Sequence, residues 1–258
     1  MSGPLALLEL DGPVARLRLN RPERHNSLVP GLTDAVLREL DLAAAQPGLR
    51  VLVLEAAGRS FSTGGDVGGF FEQPRDRRTA YADILVGGLN RVILALLDLP
   101  VPVIGRIQGP VTGGSLGLLL ACDLAAVTPA VFLQPYYTEV GFSPDGGWTA
   151  MLPDRIGTAK AREIQLLNRR VAADEMLALG LATVLVPADT LDTCIAGWCE
   201  AIAAGQPGSV AATRRLLLMP ERRAAIAAGL EAEKQTFLAQ IATDEADRGM
   251  ARFLGRAP

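Results

Sequence analysis

A glycine-rich segment near the middle of the chain, residues 109–117, constrains the fold more than any other. It reads Gly-Pro-Val-Thr-Gly-Gly-Ser-Leu-Gly and lies between the apolar runs 101–107 and 118–122. This order predicts a buried strand, a tight turn and a buried helix. A helix that begins at paired glycines leaves backbone N–H groups free, with no bulky side chain in front of them. Such groups can stabilise a carbonyl oxygen that gains negative charge, although close helix packing would also require glycines here.

A second glycine-rich segment, residues 61–66, strengthens the functional interpretation of the first. It reads Phe-Ser-Thr-Gly-Gly-Asp and follows a short Val/Leu-rich run at 50–55 that predicts a strand. Two glycine loops that each follow a strand favour a pair of backbone N–H donors over a single packing contact.

Composition excludes several classes of protein. The chain has 258 residues, 49% of them hydrophobic, and a net charge of −3, which argues against a general nucleic-acid-binding surface. It is long enough for one large domain, or one domain with an appendage. The three cysteines form no CxxC pair, which favours free thiols in a reducing compartment. His25 is the single histidine, so we expect no metal site.

No secretory signal is recognisable at the N-terminus, and the apolar run from Val92 to Ile104 is interrupted by Asp98, Pro100 and Pro102. The sequence therefore predicts a cytoplasmic protein with neither a membrane nor a nucleic acid as partner.

The order of elements predicts an α/β core followed by helices. Runs at 5–10 and 14–19 flank Asp11-Gly12, a strong hairpin signal. Strand and helix patterns then alternate to about residue 190, and the remainder is almost wholly helical. We predict a core over residues 1–204 and a helical region over 205–258, divided at a Gly-Gln-Pro-Gly break. Residues 70–79 are polar and predict an irregular, mobile loop.

Five short segments, in this order and at these separations, resemble the crotonase (enoyl-CoA hydratase/isomerase) superfamily. They are residues 19–28, 61–67, 108–123, 142–147 and 253–254. The resemblance covers nearly the whole chain and implies a spiral of ββα units with a helical C-terminal trimerisation region, assembled as a homotrimer or hexamer. It also implies an acyl-CoA thioester as the binding partner. Coenzyme A would then be part of the substrate, with no permanently bound cofactor.

The resemblance assigns the two free N–H groups to Gly65 and Gly114, which would hold the thioester oxygen as it becomes an enolate. We expect any side chain at Gly114 to obstruct the substrate, whereas Gly65 should tolerate a small one because only its N–H is used.

The same resemblance assigns a set of binding residues. Arg24 matches a basic position near the CoA phosphates, although a surface arginine in a polar turn is the alternative. Tyr137 and Trp148 would line the substrate pocket, or else pack in the core. Phe253 and Arg256 resemble C-terminal residues that reach a neighbouring subunit's CoA, the alternative being a core phenylalanine and a solvated arginine. The residues that match the loop around the adenine are Ser62, Gly64, Asp66 and Val67.

Hydratases of the superfamily use two carboxylates, and neither position is acidic here. The first position falls at Gly117 and the second near Tyr137, with Glu139 two residues beyond. Asp145 is the acid that remains, in a Pro-Asp-Gly-Gly-Trp segment that resembles the epoxyphenylacetyl-CoA isomerase branch. Its alternative role is to cap the N-terminus of a helix over 148–152.

We therefore predict an enoyl-CoA isomerase that shuttles a proton on a single carboxylate. The alternatives are an enoyl-CoA hydratase with a non-standard acid pair and a non-catalytic acyl-CoA-binding protein.

Overall fold

Two sheets form the β-structure of the computed structural model, which describes residues 3–256. The strands are β1 (Ala6–Asp11), β2 (Val14–Leu19), β3 (Val51–Ala56), β4 (Val103–Ile107), β5 (Val111–Thr112), β6 (Leu124–Val127), β7 (Phe132–Gln134), β8 (Val171–Ala172) and β9 (Val184–Leu185). The larger sheet has the order β1-β2-β3-β4-β6-β9, and the smaller one β5-β7-β8. The predicted hairpin is confirmed, since β1 and β2 pair antiparallel around Asp11-Gly12. The other neighbours in the larger sheet are parallel.

Helices connect the strands and form most of the C-terminal region. They are α1 (Pro30–Ala44), α2 (Val67–Phe71), α3 (Arg75–Asp98), α4 (Leu116–Leu120), α5 (Tyr137–Val140), α6 (Leu152–Ile156), α7 (Thr158–Leu166), α8 (Ala173–Ala178), α9 (Leu191–Ala204), α10 (Pro207–Leu217), α11 (Pro220–Ile241) and α12 (Asp244–Phe253). Short 3-10 helices lie at Pro22–Arg24 and Gly113–Ser115. The predicted alternation of strands and helices, followed by a helical region, is confirmed.

The predicted loop at 70–79 is wrong. Its first two residues belong to α2 and its last five to α3, so only Glu72–Pro74 lies between helices. The charged residues of this stretch hid the helix start: most of them are exposed, whereas Phe70 and Arg78 are buried. Helix α3 is long and apolar enough to cross a membrane by length and composition alone, but more than half of its most apolar window is buried inside the protein. There it packs between α1 and α11.

The main core continues across the Gly-Gln-Pro-Gly break. Side chains of α11 and α12 belong to the same buried cluster as the strands, among them Ile226, Leu230, Phe237 and Met250. Helix α11 packs along α3, and α12 packs against α5 and α2. The helical region therefore closes over the core of its own chain, on the side where the glycine loops lie.

The sheet brings the two glycine loops together. Strands β3 and β4 are parallel neighbours, so their carboxyl ends lie at the same edge. The segment 61–66 follows β3 and the segment 109–115 follows β4. Ligands of parallel sheets usually bind outside this edge, because successive loops converge there.

Candidate functional site

A cavity of about 690 Å³ opens beside the two glycine loops. Gly65, Gly114 and Asp145 all line it, together with Tyr137, so the structure brings together the three predicted catalytic residues and one predicted pocket residue. Among residues 3–256, no three His, Cys, Asp or Glu side chains cluster in a way that could hold a metal ion.

Direct hydrogen bonds join the two glycine loops. The carbonyl of Ser62 accepts from the N–H of Thr112 at 3.1 Å and from the hydroxyl of Ser115 at 2.9 Å. Gly64 has a left-handed backbone with φ of 75°, and a Cβ there would lie 2.6 Å from the carbonyl oxygen of Thr112. Only glycine combines this backbone with so close an approach. The relative position of the loops is therefore fixed by their own main chains.

The N–H groups of Gly65 and Gly114 are free to bind a ligand. Leu28 pairs with the residues on either side of Gly65, accepting from Asp66 and donating to the carbonyl of Gly64, which turns the Gly65 N–H the other way. Gly114 lies in the first turn of a 3-10 helix, where N–H groups have no helical acceptor. Within residues 3–256, neither group donates a hydrogen bond to the protein. Together they can stabilise a developing oxyanion.

The expectation that Gly65 tolerates a small side chain is wrong. A Cβ at this position would lie 2.9 Å from Cε2 of Phe70. The ring cannot move aside easily, because Phe70 is buried and packs against the rings of Tyr81, Phe142 and Phe237. The sequence did not show this contact, which forms across the start of α2.

Asp145 is a buried carboxyl next to the Gly114 turn. Its side chain accepts a 2.6 Å hydrogen bond from the Tyr137 hydroxyl, and only 8% of the residue is exposed. Burial raises the pKa of Asp145 to about 7, since desolvation outweighs the opposing effect of the Tyr137 hydrogen bond and the charge of Glu233 adds to the increase. At neutral pH, this group can therefore both accept and donate a proton.

The helix-cap alternative for Asp145 is wrong. Residues 147–151 form turns, and the next helix, α6, begins only at Leu152. The N–H groups of Gly147, Thr149 and Ala150 donate to Glu233 of α11. Another carboxylate thus satisfies the donors that Asp145 was expected to cap.

Neither position of the usual hydratase acids carries a carboxylate, and the first has no room for one. A Cβ at Gly117 would lie 2.5 Å from the carbonyl oxygen of Gly146 and would also collide with Ile93. The second position holds Tyr137, whose hydroxyl bonds to Asp145. Glu139 is exposed and accepts from Asn168 at 2.6 Å, so it does not enter the cavity.

Apolar side chains surround the inner part of the cavity. They come from α3, from the segment after α5 and from α11, and they include Leu85, Val86, Leu89, Phe142 and Phe237. A ring-to-ring contact of 5.0 Å joins the two phenylalanines. These walls exclude water from the carboxyl, which accounts for its desolvation.

The mouth of the cavity contains part of the predicted CoA-binding set. Arg24, Asp66 and Val67 line it. Asp66 is held by Arg21 at 3.0 Å and Arg24 at 3.3 Å. Burial alone would raise the pKa of Asp66, but the hydrogen bonds from Arg21 and the Gly69 N–H, with the nearby positive charges, lower it. The carboxylate thus orients Arg24, whose side chain is 56% exposed.

Three predicted residues do not line the cavity. Ser62 is fully buried and donates to the carbonyl of Asn26 at 2.8 Å, and the carbonyl of Gly64 accepts from Leu28. Trp148 is also fully buried, and its indole N–H donates to the carbonyl of Gly113 at 2.8 Å. The three residues support the glycine loops from behind, and the side chains of Ser62 and Trp148 do not reach the cavity.

Phe253 is not a core residue, although its alternative assignment placed it there. It is 46% exposed, packs 5.9 Å from the ring of Tyr136 and lies at the mouth of its own chain's cavity. Arg256 lies over the ring of Phe71 at 5.2 Å.

Sequence reasoning missed Glu233 and Arg21. A signal for Glu233 exists, because it lies three residues after Leu230 and four before Phe237, in the buried stripe of α11 that also includes Ile226 and Ile241. An acid within an apolar helix stripe indicates a buried partner. Arg21 gave no comparable signal, since its contact with Asp66 joins loops 45 residues apart.

Comparisons with known proteins agree with this geometry. A family model described as "Enoyl-CoA hydratase/isomerase" matches residues 9–258. A Mycobacterium bovis protein named "Probable enoyl-CoA hydratase echA12" is 32% identical over 98% of this chain and 92% of its own length. A Streptococcus mutans trans-2-decenoyl-[acyl-carrier-protein] isomerase is 28% identical over 68% of this chain and 66% of its own.

Solved structures confirm the predicted fold. The crystal structure of an enoyl-CoA hydratase from Bacillus halodurans has a TM-score of 0.90 at 22% identity, covering 96% of this chain and 99% of that one. The family model matches residues 9–258, and the Mycobacterium bovis protein is similar over almost the whole chain. The chain therefore belongs to the enoyl-CoA hydratase/isomerase family.

Proposed function

We propose that this protein is an enoyl-CoA isomerase that moves a double bond along the acyl chain of a CoA thioester. The observation that carries the proposal is the position of Asp145. It is buried beside the Gly114 turn, between apolar walls, and its pKa is raised to about 7. The other acidic residues that line the cavity in the described part of the chain, Glu23 and Asp66, lie at its mouth.

The mechanism uses one carboxyl group twice. Ionised Asp145 removes a proton from the carbon next to the thioester carbonyl of a 3-enoyl substrate, and the N–H groups of Gly65 and Gly114 stabilise the enolate oxygen. Protonated Asp145 then returns the proton two carbons further along, which leaves a 2-enoyl thioester. The apolar walls of the cavity favour this second proton transfer, because they exclude water that would compete for the proton.

Hydration is the second candidate, favoured by the similarity to the mycobacterial protein named as a probable enoyl-CoA hydratase. The site supports it less well, because a hydratase of the usual kind would need a carboxylate at Gly117, where a Cβ has no room. The second acid position is occupied by Tyr137, whose hydroxyl donates a hydrogen bond to Asp145.

We also propose that the cavity mouth receives the CoA moiety. Arg24 would meet the phosphates, since its guanidinium is exposed and fixed by Asp66. Asp66 and Val67 would border the nucleotide.

A paired substrate assay tests the proposed function. A 3-enoyl-CoA should be converted to its conjugated 2-enoyl isomer, seen as a gain of ultraviolet absorbance, whereas crotonyl-CoA should keep its absorbance. Proton NMR in heavy water identifies the products. Loss of crotonyl-CoA absorbance without isomerisation would make the protein a hydratase, and tight binding of both compounds without reaction would make it a binding protein.

Tyr137→Phe should move the acidic limb of the isomerase pH profile upward. The Tyr137 hydrogen bond lowers the pKa of Asp145, so its removal raises the pH at which the base ionises. We expect the midpoint of the acidic limb of kcat/KM to lie about one pH unit higher, while the plateau value of kcat/KM at high pH changes less. The measurement is kcat/KM against pH. Tyr81→Phe is the control, since this tyrosine packs against Phe70 but does not contact Asp145, and an unmoved limb in Tyr137→Phe would contradict the assigned hydrogen bond.

A further inference from the structure

Glu233 is a buried carboxylate with an unusual set of partners. It lies in α11 with 4% exposure, and its oxygens accept from Gly147 N at 2.7 Å, Thr149 N at 2.6 Å, Ala150 N at 2.9 Å and the Thr149 hydroxyl at 2.7 Å. The turn that it holds begins two residues after Asp145. Four donors on one carboxylate offset the cost of burying its charge.

We propose that Glu233 is a positioning residue for the reaction, because it takes the free N–H groups of the 147–150 turn and so leaves the Asp145 carboxyl available for proton exchange. This inference rests on the proposed function only in that Asp145 is the group that exchanges a proton with substrate.

The two carboxyl groups compete for the same kind of donor. Hydrogen bonds from backbone N–H groups stabilise the ionised form of a carboxyl and would make Asp145 a weaker base. Because Glu233 accepts the hydrogen bonds of those N–H groups, the Asp145 side chain accepts its hydrogen bond from the Tyr137 hydroxyl instead. The charge of Glu233 also raises the pKa of Asp145. Withholding the backbone N–H donors from Asp145 acts in the same direction.

Few titratable groups face Asp145 from the elements packed around it. Tyr137 reaches it from α5, and Glu233 acts on it from α11. The glycine turn and α3 contribute Gly114 and Leu89, which carry no charge. The C-terminal helical region thus contributes to the proton affinity of Asp145 through Glu233, in addition to burial and the Tyr137 hydrogen bond.

The test combines Glu233→Gln with a titration that does not depend on turnover. The variant removes the charge and offers an amide in place of one acceptor oxygen, so Gly147 or its neighbours can turn to Asp145. We expect the Asp145 carboxyl, followed by carbon-13 NMR and assigned with Asp145→Asn, to titrate about one pH unit lower than in the parent protein. The acidic limb of kcat/KM should move by the same amount. The control is Glu231→Gln, two residues away on the exposed face and paired with Lys234, which should change neither quantity.

A folded Glu233→Gln protein with an unmoved Asp145 titration would overturn the inference. If that variant does not fold, Glu233→Asp replaces it, because the shorter side chain cannot hold all four donors and should shift the titration in the same direction. An unmoved titration there overturns the inference equally. An absence of isomerisation in the parent protein refutes the proposed function instead, and the NMR titration still decides the role of Glu233.

Discussion

Asp145→Asn is expected to lower the rate of double-bond migration by about 10²–10⁴-fold, the usual contribution of a general base. The asparagine amide fits the same space and can still accept from Tyr137, but it cannot take a proton from substrate. The Gly65 and Gly114 N–H groups remain, so thioester binding should change little. Stopped-flow or steady-state absorbance with a 3-enoyl-CoA measures kcat, and a KM close to that of the parent protein separates lost chemistry from lost binding.

The same variant carries its own folding control. Asp145 has a pKa of about 7 in the folded protein and 3.8 in the unfolded chain, so its burial costs stability as the pH rises from about 4 to 7. The full cost is on the order of 4 kcal/mol. Asp145→Asn should therefore melt at a higher temperature than the parent protein at pH 8, with a smaller difference at pH 5. Asp41→Asn, at an exposed position of α1, should affect neither activity nor melting, and full activity in Asp145→Asn would refute the proton shuttle.

Gly114→Ala is expected to reduce isomerisation by at least about 10²–10³-fold, the loss that follows removal of one oxyanion donor. A methyl group at Gly114 would lie 2.7 and 2.9 Å from the two carboxyl oxygens of Asp145 and 2.9 Å from Cδ2 of Leu89. It would displace the base and crowd the oxygen that the N–H must reach. The effect should appear in kcat and in the affinity for the thioester, measured by steady-state kinetics and calorimetry.

A matched substitution separates this effect from a general cost of replacing glycine. Gly197 lies inside α9, and a Cβ there meets nothing within 4 Å. Gly197→Ala should retain activity and gain slightly in stability, because alanine favours helix. Parental activity in Gly114→Ala would show that this turn does not bind the reacting oxygen.

The sequence predicted the parts of the site that lie on one short segment. The glycine turn at 109–117 required a strand, a tight turn and a helix, and that is the local structure observed. Gly65 and Asp145 were assigned through the resemblance of the short segments around them to the family. Two of the errors concern contacts between distant segments: the placement of Trp148 behind the turn and the capping of the 147–150 donors by Glu233. The other two are closer in the chain. The clash of Gly65 with Phe70 and the helix start within 70–79 depend on how α2 and α3 pack on the core.

The sequence by itself determined the fold class, the two glycine loops and Asp145 as the candidate acid. Hydrophobic periodicity and backbone preference act over a few residues, so they can be read from the chain directly. Only the tertiary structure decided the state of Asp145, because burial, the Tyr137 hydroxyl and Glu233 reach it from separate elements. Glu233 lies 88 residues further along the chain, and a proton affinity set by such distant groups exists only after the chain has folded.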